Sequence, residues 1–276
     1  MRYYEPRFRM AVLAGEQDRL ISKIGGLPWG MPADLWPHCC GCPQKLLAQL
    51  RHESPMLDLG KEGLVLHLFQ CLECGGIDEC GRDVVVIDQS SMGDGLTRVP
   101  GWDHSCGLGE PPLIGEFWID EWLEKDDGIP DERLSEFFVE SSYWALQDEF
   151  SEIDFYDFLG RTRFGGSPRW TGNGPLVVPP PPFEFLFQID NSLILEGVSP
   201  DVDAVGCVVT TFESGSSHQS NALPVATKLG APWSIIHEVG SDYYSAEFTN
   251  LGSDGTIFVY VDRTQVPHAV QWFWNR

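Results

Sequence analysis

The sequence predicts an α+β fold that is mainly β, made from one sheet-forming unit used twice, with helices in the central segment. Three observations predict it. A glycine-rich block occurs twice in the same context. Short apolar runs bounded by Gly, Pro and Asp fill both halves. A middle segment dense in acids and aromatics breaks that pattern and follows a helical period. The expected division is 1–115 for the first copy, 116–160 for an acidic, aromatic, partly helical connector, and 161–276 for the second copy, together one pseudo-symmetric unit.

The block reads Ser22-Lys23-Ile24-Gly25-Gly26-Leu27-Pro28-Trp29 near the start and Thr162-Arg163-Phe164-Gly165-Gly166-Ser167-Pro168-Arg169-Trp170 at mid-chain. Each has a base, an apolar residue, two glycines, then Pro and Trp. Paired glycines permit positive φ and close backbone approach, and proline fixes the turn that follows. A strand-like run comes next: Leu46-Leu47-Ala48-Gln49-Leu50 in one half, Phe185-Leu186-Phe187-Gln188-Ile189 in the other. Gln49 lies 23 positions after Gly26, and Gln188 lies 22 after Gly166. Each half closes on an acid, a glycine and an apolar strand, Glu62-Gly63 before Leu64 and Asp254-Gly255 before Thr256. Matched blocks in one order, offset by about 140 residues, imply duplication rather than a solenoid of short repeats. Neither block has the spacing of a phosphate-cradling loop.

Between the copies, Pro130-Asp131-Glu132 has the proline and acids of a helix start. Leu134, Phe137, Phe138, Ala145 and Leu146 continue at helical spacing, so one or two helices are expected. Prolines 179–182 read as a stiff loop, and 221–242 as a mix of short elements.

Charge narrows the function. Of 276 residues, 18 are Lys or Arg and 41 are Asp or Glu, a net of −23. That argues against nucleic acid and against an anionic membrane surface, both of which need basic patches. It suits a basic protein partner. Residues 116–157 hold fifteen acids and two bases, a net of −13, so over half of the charge lies there. Acids interleaved with aromatics suit an anchored, charge-rimmed contact. Asp120, Glu121, Trp122, Asp126, Asp127, Asp131 and Glu132 are the candidate partner-binding residues. Residues 1–20 lack the apolar core of a secretory signal and no apolar run spans a bilayer, so the sequence reads as cytoplasmic.

The chain has 8 cysteines. Cys39-x-x-Cys42 and Cys71-x-x-Cys74 form paired clusters, and four thiolates suit one structural zinc with no open position for chemistry. His38, Cys40 and Cys80 compete as ligands, and no cysteine lies between Gly166 and Gln188 in the second half. No nucleophile elbow occurs, His237-Glu238 lacks the second histidine of a zinc-protease motif, and Cys207 reads as a strand core residue. The catalytic set is therefore empty, and a non-enzymatic protein is expected.

The 23–29 block, with Trp36-Pro37, Gln49 and Leu68-Phe69-Gln70-Cys71, resembles the YwqG-like family of bacterial proteins. The 163–170 block, with 185–190 and 255–261, resembles that family's second half, and programmed cell death protein 2 is more distantly similar. The resemblance implies a duplicated α+β fold and, for some members, a role as immunity proteins of interbacterial toxin systems. It carries no catalytic residues. The leading expectation is an immunity protein that neutralises a cognate basic toxin, such as a nuclease. The alternatives are an assembly factor or chaperone for a basic client, and a hydrolase with an unrecognised site.

Overall fold

In the computed structural model, both glycine pairs take the left-handed conformation, with φ of 70° and 69° at Gly25 and Gly26, and 73° and 68° at Gly165 and Gly166. The structure describes residues 1–10, 17–71, 81–101, 116–153, 161–170, 174–175, 178–196, 208–213, 216–220, 234–238, 243–247 and 255–275. The fold is mainly β, as the sequence predicts.

Ten strands form one sheet with antiparallel neighbours throughout. Its centre is the pair of β1 (Arg2–Met10) and β8 (Phe117–Asp126). Beside β8 come β2 (Lys23–Ile24), β5 (Lys45–Arg51), β6 (Leu64–Gln70) and β7 (Arg82–Asp88). Beside β1 come β9 (Arg163–Gly165), β10 (Phe183–Asp190), β16 (Thr256–Asp262) and β17 (Ala269–Asn275). The matched sequence blocks thus take matching places on the two sides of the centre. A hairpin of β3 (His38–Cys39) and β4 (Cys42–Pro43) lies between β2 and β5 in sequence. Between β10 and β16 the chain makes a second sheet, ordered β11 (Ser192–Glu196), β15 (Tyr243–Glu247), β14 (Ser234–Glu238), β12 (Val208–Glu213) and β13 (Ser216–Ser220).

Within the expected connector, 117–126 is a strand. Phe117 is buried and Ile119 and Trp122 pack against the core, while Asp120, Glu121 and Glu124 face water. Helices follow where the sequence places them, a 3-10 helix at Asp131–Phe138 and α1 at Glu140–Glu149.

Each block is anchored by the same contacts. The Trp29 N–H donates to Gln49 Oε1 (2.7 Å), and the Arg169 N–H to Gln188 Oε1 (2.7 Å). The Ser22 hydroxyl accepts from the Arg51 N–H (3.0 Å), and the Thr162 hydroxyl from the Asp190 N–H (3.0 Å). The base of each block is buried beside the glycines. Lys23 Nζ donates to Gln17 Oε1 and the Leu27 carbonyl and pairs with Glu116 Oε2 at 3.1 Å. Burial lowers the Lys23 pKa, opposed by the Glu116 charge. The Arg163 guanidinium lies 4.1 Å from the centroid of the Tyr3 ring. Burial pushes Arg163 down to about 10, with Arg169 adding to the fall. Glu116 and Tyr3 cover the second glycine of their blocks: a Cβ on Gly26 would meet Glu116, and one on Gly166 would meet Tyr3. An ion pair in one half stands where a cation–π contact stands in the other.

The sheet curls until its edge strands approach, with Arg82 of β7 4.9 Å over the Phe273 ring of β17. Its inner face holds the main core, including Ile24, Leu47, Leu66 and Leu68 from one half and Phe187, Ile189, Ile257 and Val259 from the other. Each half also has an outer cluster. On the second half, Trp170, Phe185, Phe258 and Tyr260 are covered by Phe137, Tyr143 and Leu146 of the helical layer. On the first half, Leu46, Phe69 and Ile87 are covered by loop residues Met31 and Trp36. His67 faces Gln49 there, as Phe258 faces Gln188 opposite.

Two predictions test these contacts. Gly26→Ala should cost more stability than Gly63→Ala, by roughly 1–3 kcal/mol in denaturant unfolding, because it also drives Glu116 from the buried Lys23. Both positions have positive φ, but nothing lies within 4 Å of a Cβ at Gly63. Equal costs would remove the ion pair from the account. His67 is wholly buried, with no hydrogen bond of normal geometry to either ring nitrogen among the described residues. Burial pushes its pKa down from 6.5 to about 4, against a smaller upward pull from the Val85 backbone. The unfolded chain therefore binds a proton at His67 before the folded one does. Stability present above pH 6.5 should decline as pH falls, and be fully lost below about pH 4. His67→Phe should flatten that part of the stability-against-pH curve, and an unchanged slope would assign it to other groups.

Candidate functional site

The seven acidic-segment candidates separate into three environments. Those on β8 meet a complementary strand. Arg9 Nε donates to Asp120 Oδ2 (2.8 Å), and its guanidinium lies 4.4 Å from the centroid of Trp118. Arg2 Nε pairs with Glu124 at 3.2 Å, and Lys125 Nζ with Glu5. Trp122 stacks edge-on against Phe164 at 4.7 Å and donates from its indole N–H to Glu53 (3.3 Å). Trp122 is thus half-buried against the core. Glu121 is exposed and faces Arg7 in register.

Asp126 and Asp127 begin the turn into the helical layer. The Asp127 side chain is 1% exposed, and so is not a surface group. Its Oδ2 accepts from the Ser167 hydroxyl (2.6 Å) and N–H (3.2 Å), and its Oδ1 from the Ile129 N–H (3.1 Å) and the Met1 amino group (2.7 Å). Burial alone would raise its pKa, but these donors outweigh burial and hold it below the usual carboxylate range. Asp126 is held low as well, first by the Gly128 N–H. Asp126 and Asp131 border one open groove with Arg2, Tyr4 and Pro55.

Asp131 and Glu132 open the 3-10 helix and are exposed. The described aromatics of the helical layer turn inward. Phe137 and Tyr143 are buried, and Phe138, Trp144 and Phe150 pack against the same cluster. Val139, between the two helices, is 52% exposed. Arg133 donates to both Glu136 and Glu149, so the segment's two bases, Lys125 and Arg133, already have partners. Glu132, Glu140, Asp148 and Glu152 are exposed, with no ion pair among the described residues.

The second site is a cysteine group. Cys40-Gly41 forms the two-residue turn joining β3 to β4, with φ of 55° and 79°. Positive φ at both central residues is the type I′ hairpin geometry. Cys40 is the non-glycine residue that adopts it, a conformation costly for a side chain with Cβ. Sγ of Cys39, Cys40 and Cys71 lie within 4.8 Å of one another, with Cys39 and Cys40 3.7 Å apart. Cys71 directly follows β6 and is buried, Cys39 is half-buried and Cys40 is exposed. The group could hold a metal ion. Three thiolates suit a thiophilic cation. Buried Lys45 supplies positive charge nearby; burial pushes its pKa down to about 8, and the Cys71 charge pulls it back up.

Of the ligand set read from spacing, Cys39 and Cys71 converge, and Cys40, a competing ligand in that reading, joins them. Cys42 lies opposite Cys39 across the hairpin. Cys74 and Cys80 lie outside the described residues. The sequence signal for Cys40 is Cys-Gly at the centre of a hairpin.

Compared with known proteins, the chain matches no family model, no curated protein and no solved structure. Among the described residues no helix is long and apolar enough to cross a membrane.

Asp127 and Asp120 should respond differently to replacement. Asp127→Ala leaves buried donors unmatched and should cost about 3–5 kcal/mol. Asp120→Ala breaks an exposed pair and should cost under about 1 kcal/mol. Urea midpoints for the two variants check this, and similar costs would contradict the assignment of Asp127 to the interior.

Proposed function

We propose that the protein is a cytoplasmic, non-enzymatic binding protein whose partner is a basic protein, and specifically an immunity protein that neutralises a cognate basic toxin. One observation carries the reading. The helical layer presents Glu132, Glu140, Asp148 and Glu152 to water without ion pairs among the described residues. The acids of β8 differ, since Asp120 and Glu124 already have arginine partners from β1. An unneutralised acidic face attracts a basic partner and speeds its encounter. Exposed Val139 at the helix junction supplies an apolar contact inside the charged rim. Resemblance of the two Gly-Gly blocks to the YwqG-like family supports the immunity role, and we read the matched halves as copies of one unit. The metal that suits the cysteine group in this reading is one structural zinc.

The test is co-expression with a candidate toxin encoded beside the gene, followed by pull-down and growth rescue. Binding with rescue supports the proposal, and absence of both defeats it. With a bound partner in hand, Glu132→Lys, Glu140→Lys and Asp148→Lys combined should slow association about tenfold or more at low salt. They should also reduce its salt dependence. The pair Asp120→Lys and Glu124→Lys should have a smaller effect. The reverse ranking would move the contact onto β8.

A further inference from the structure

The two outer faces of the sheet are closed by different means. On the second half, nine buried residues form the cluster, and helix residues Phe137, Tyr143 and Leu146 cover the strand aromatics. On the first half, the cluster has five buried residues among those described, and its described cover is loop with a single 3-10 turn at Ala33–Leu35. Trp36 is the central piece of that cover. Its ring sits 5.5 Å from Phe69, and its indole N–H donates to the Gln44 carbonyl (2.9 Å). Directly after Trp36 the chain makes the β3–β4 hairpin, whose tip brings Cys39 and Cys40 to Cys71. Cys71 stands two residues beyond Phe69, on the same face of its strand. In register terms its counterpart on β16 is Asp262, whose carboxylate accepts from Thr264 and Gln265 within its own turn. The first half therefore has three converging thiols where the second has a self-contained turn, and it has no helical layer over them among the described residues.

We propose that a thiophilic metal ion on Cys39, Cys40 and Cys71 is the staple that holds the 33–44 cover on the first half-sheet, taking the place of the helical layer on the second. This rests on the metal reading of the cysteine group and adds a structural role to it. Three features support the staple. The thiols come from two segments 31 positions apart in sequence, so one ion ties hairpin to strand. Cys40 holds a costly left-handed backbone, which a bound ligand compensates. Lys45 lies buried beside Cys71, where an anionic metal–thiolate group needs a counter-charge.

The experiment uses full-length protein prepared without oxygen and loaded with Zn²⁺ or Co²⁺. Metal analysis should find about one equivalent, and the cobalt form should show the intense near-ultraviolet charge-transfer band of thiolate ligation. Cys40→Ser and Cys71→Ser should each weaken metal binding at least tenfold, and Cys42→Ser should retain it. Chelating the metal from wild-type protein, which avoids any folding defect of a variant, should speed amide exchange in 33–44 at least tenfold. Exchange in 131–149 should stay unchanged. Absence of metal and of the thiolate band would overturn the metal reading itself. Metal bound, with exchange in 33–44 unaltered by its removal, would leave that reading standing and overturn the staple. Faster exchange in both layers alike would also overturn it, since the ion would then support the whole fold rather than one cover.

Discussion

For the first half of the sheet to form, the Lys23 ammonium must leave water. Burying an unpaired charge costs several kcal/mol, so the site survives only if the cation is fully matched. Glu116, Gln17 and the Leu27 carbonyl supply that match. Matching requires Glu116 to lie against Gly26, which is why a residue without Cβ stands there. The same turn aims the Trp29 N–H at Gln49, and Gln49 in turn binds the Ile21 carbonyl (2.9 Å). One buried cation thus sets a turn, a short strand and the register of β5. The second half solves the same problem with Arg163, whose charge lies over Tyr3. A delocalised guanidinium is less strongly hydrated than an ammonium and stacks well on a ring, which fits the exchange of partner.

The parts of the fold that were legible in the sequence are those encoded locally. Gly-Gly-x-Pro needs positive φ wherever it occurs, and the glutamine at nearly constant distance after it proves to be the residue that binds its backbone. The helix start at Pro130-Asp131-Glu132 is local in the same sense. Strand β8 was hidden because its acids look like solvated connector. What makes it a central strand is Arg2 and Arg9, more than 100 residues away, and no window of sequence contains both strands. The cysteine group was half legible. Spacing identified Cys39 and Cys71, but counting positions does not reveal that Cys40, in a left-handed turn, stands beside them. Asp127 looked like its acidic neighbours and differs only through Ser167, 40 positions on.

A net charge of −23 acquires a direction from this arrangement. Across β1 and β8, acids and bases alternate and nearly cancel, as cross-strand pairs do in a central sheet. Over the helical layer Arg133 is held by Glu136 and Glu149, and Glu132, Glu140, Asp148 and Glu152 have no ion pair among the described residues. The described aromatics that accompany those acids pack into the interior. Among the described residues, Val139 is the large apolar side chain exposed on this face. That composition favours fast, salt-sensitive association over dry burial.

The position of β1 has a consequence for synthesis. The strand precedes the other strands of the sheet in chain order, yet its two neighbours are β8 and β9, and Tyr4 pairs with Phe164. The chain must be made as far as β9 before β1 has both edges paired. The strands β2, β5, β6 and β7 are complete well before that point, so one wing of the sheet can assemble while its central strand waits. Long-range pairing of this kind slows folding, and a waiting strand with unpaired edges invites association with other chains. Arg2, Arg7 and Arg9 place positive charge along that strand, which discourages two such copies from pairing until the acidic β8 arrives.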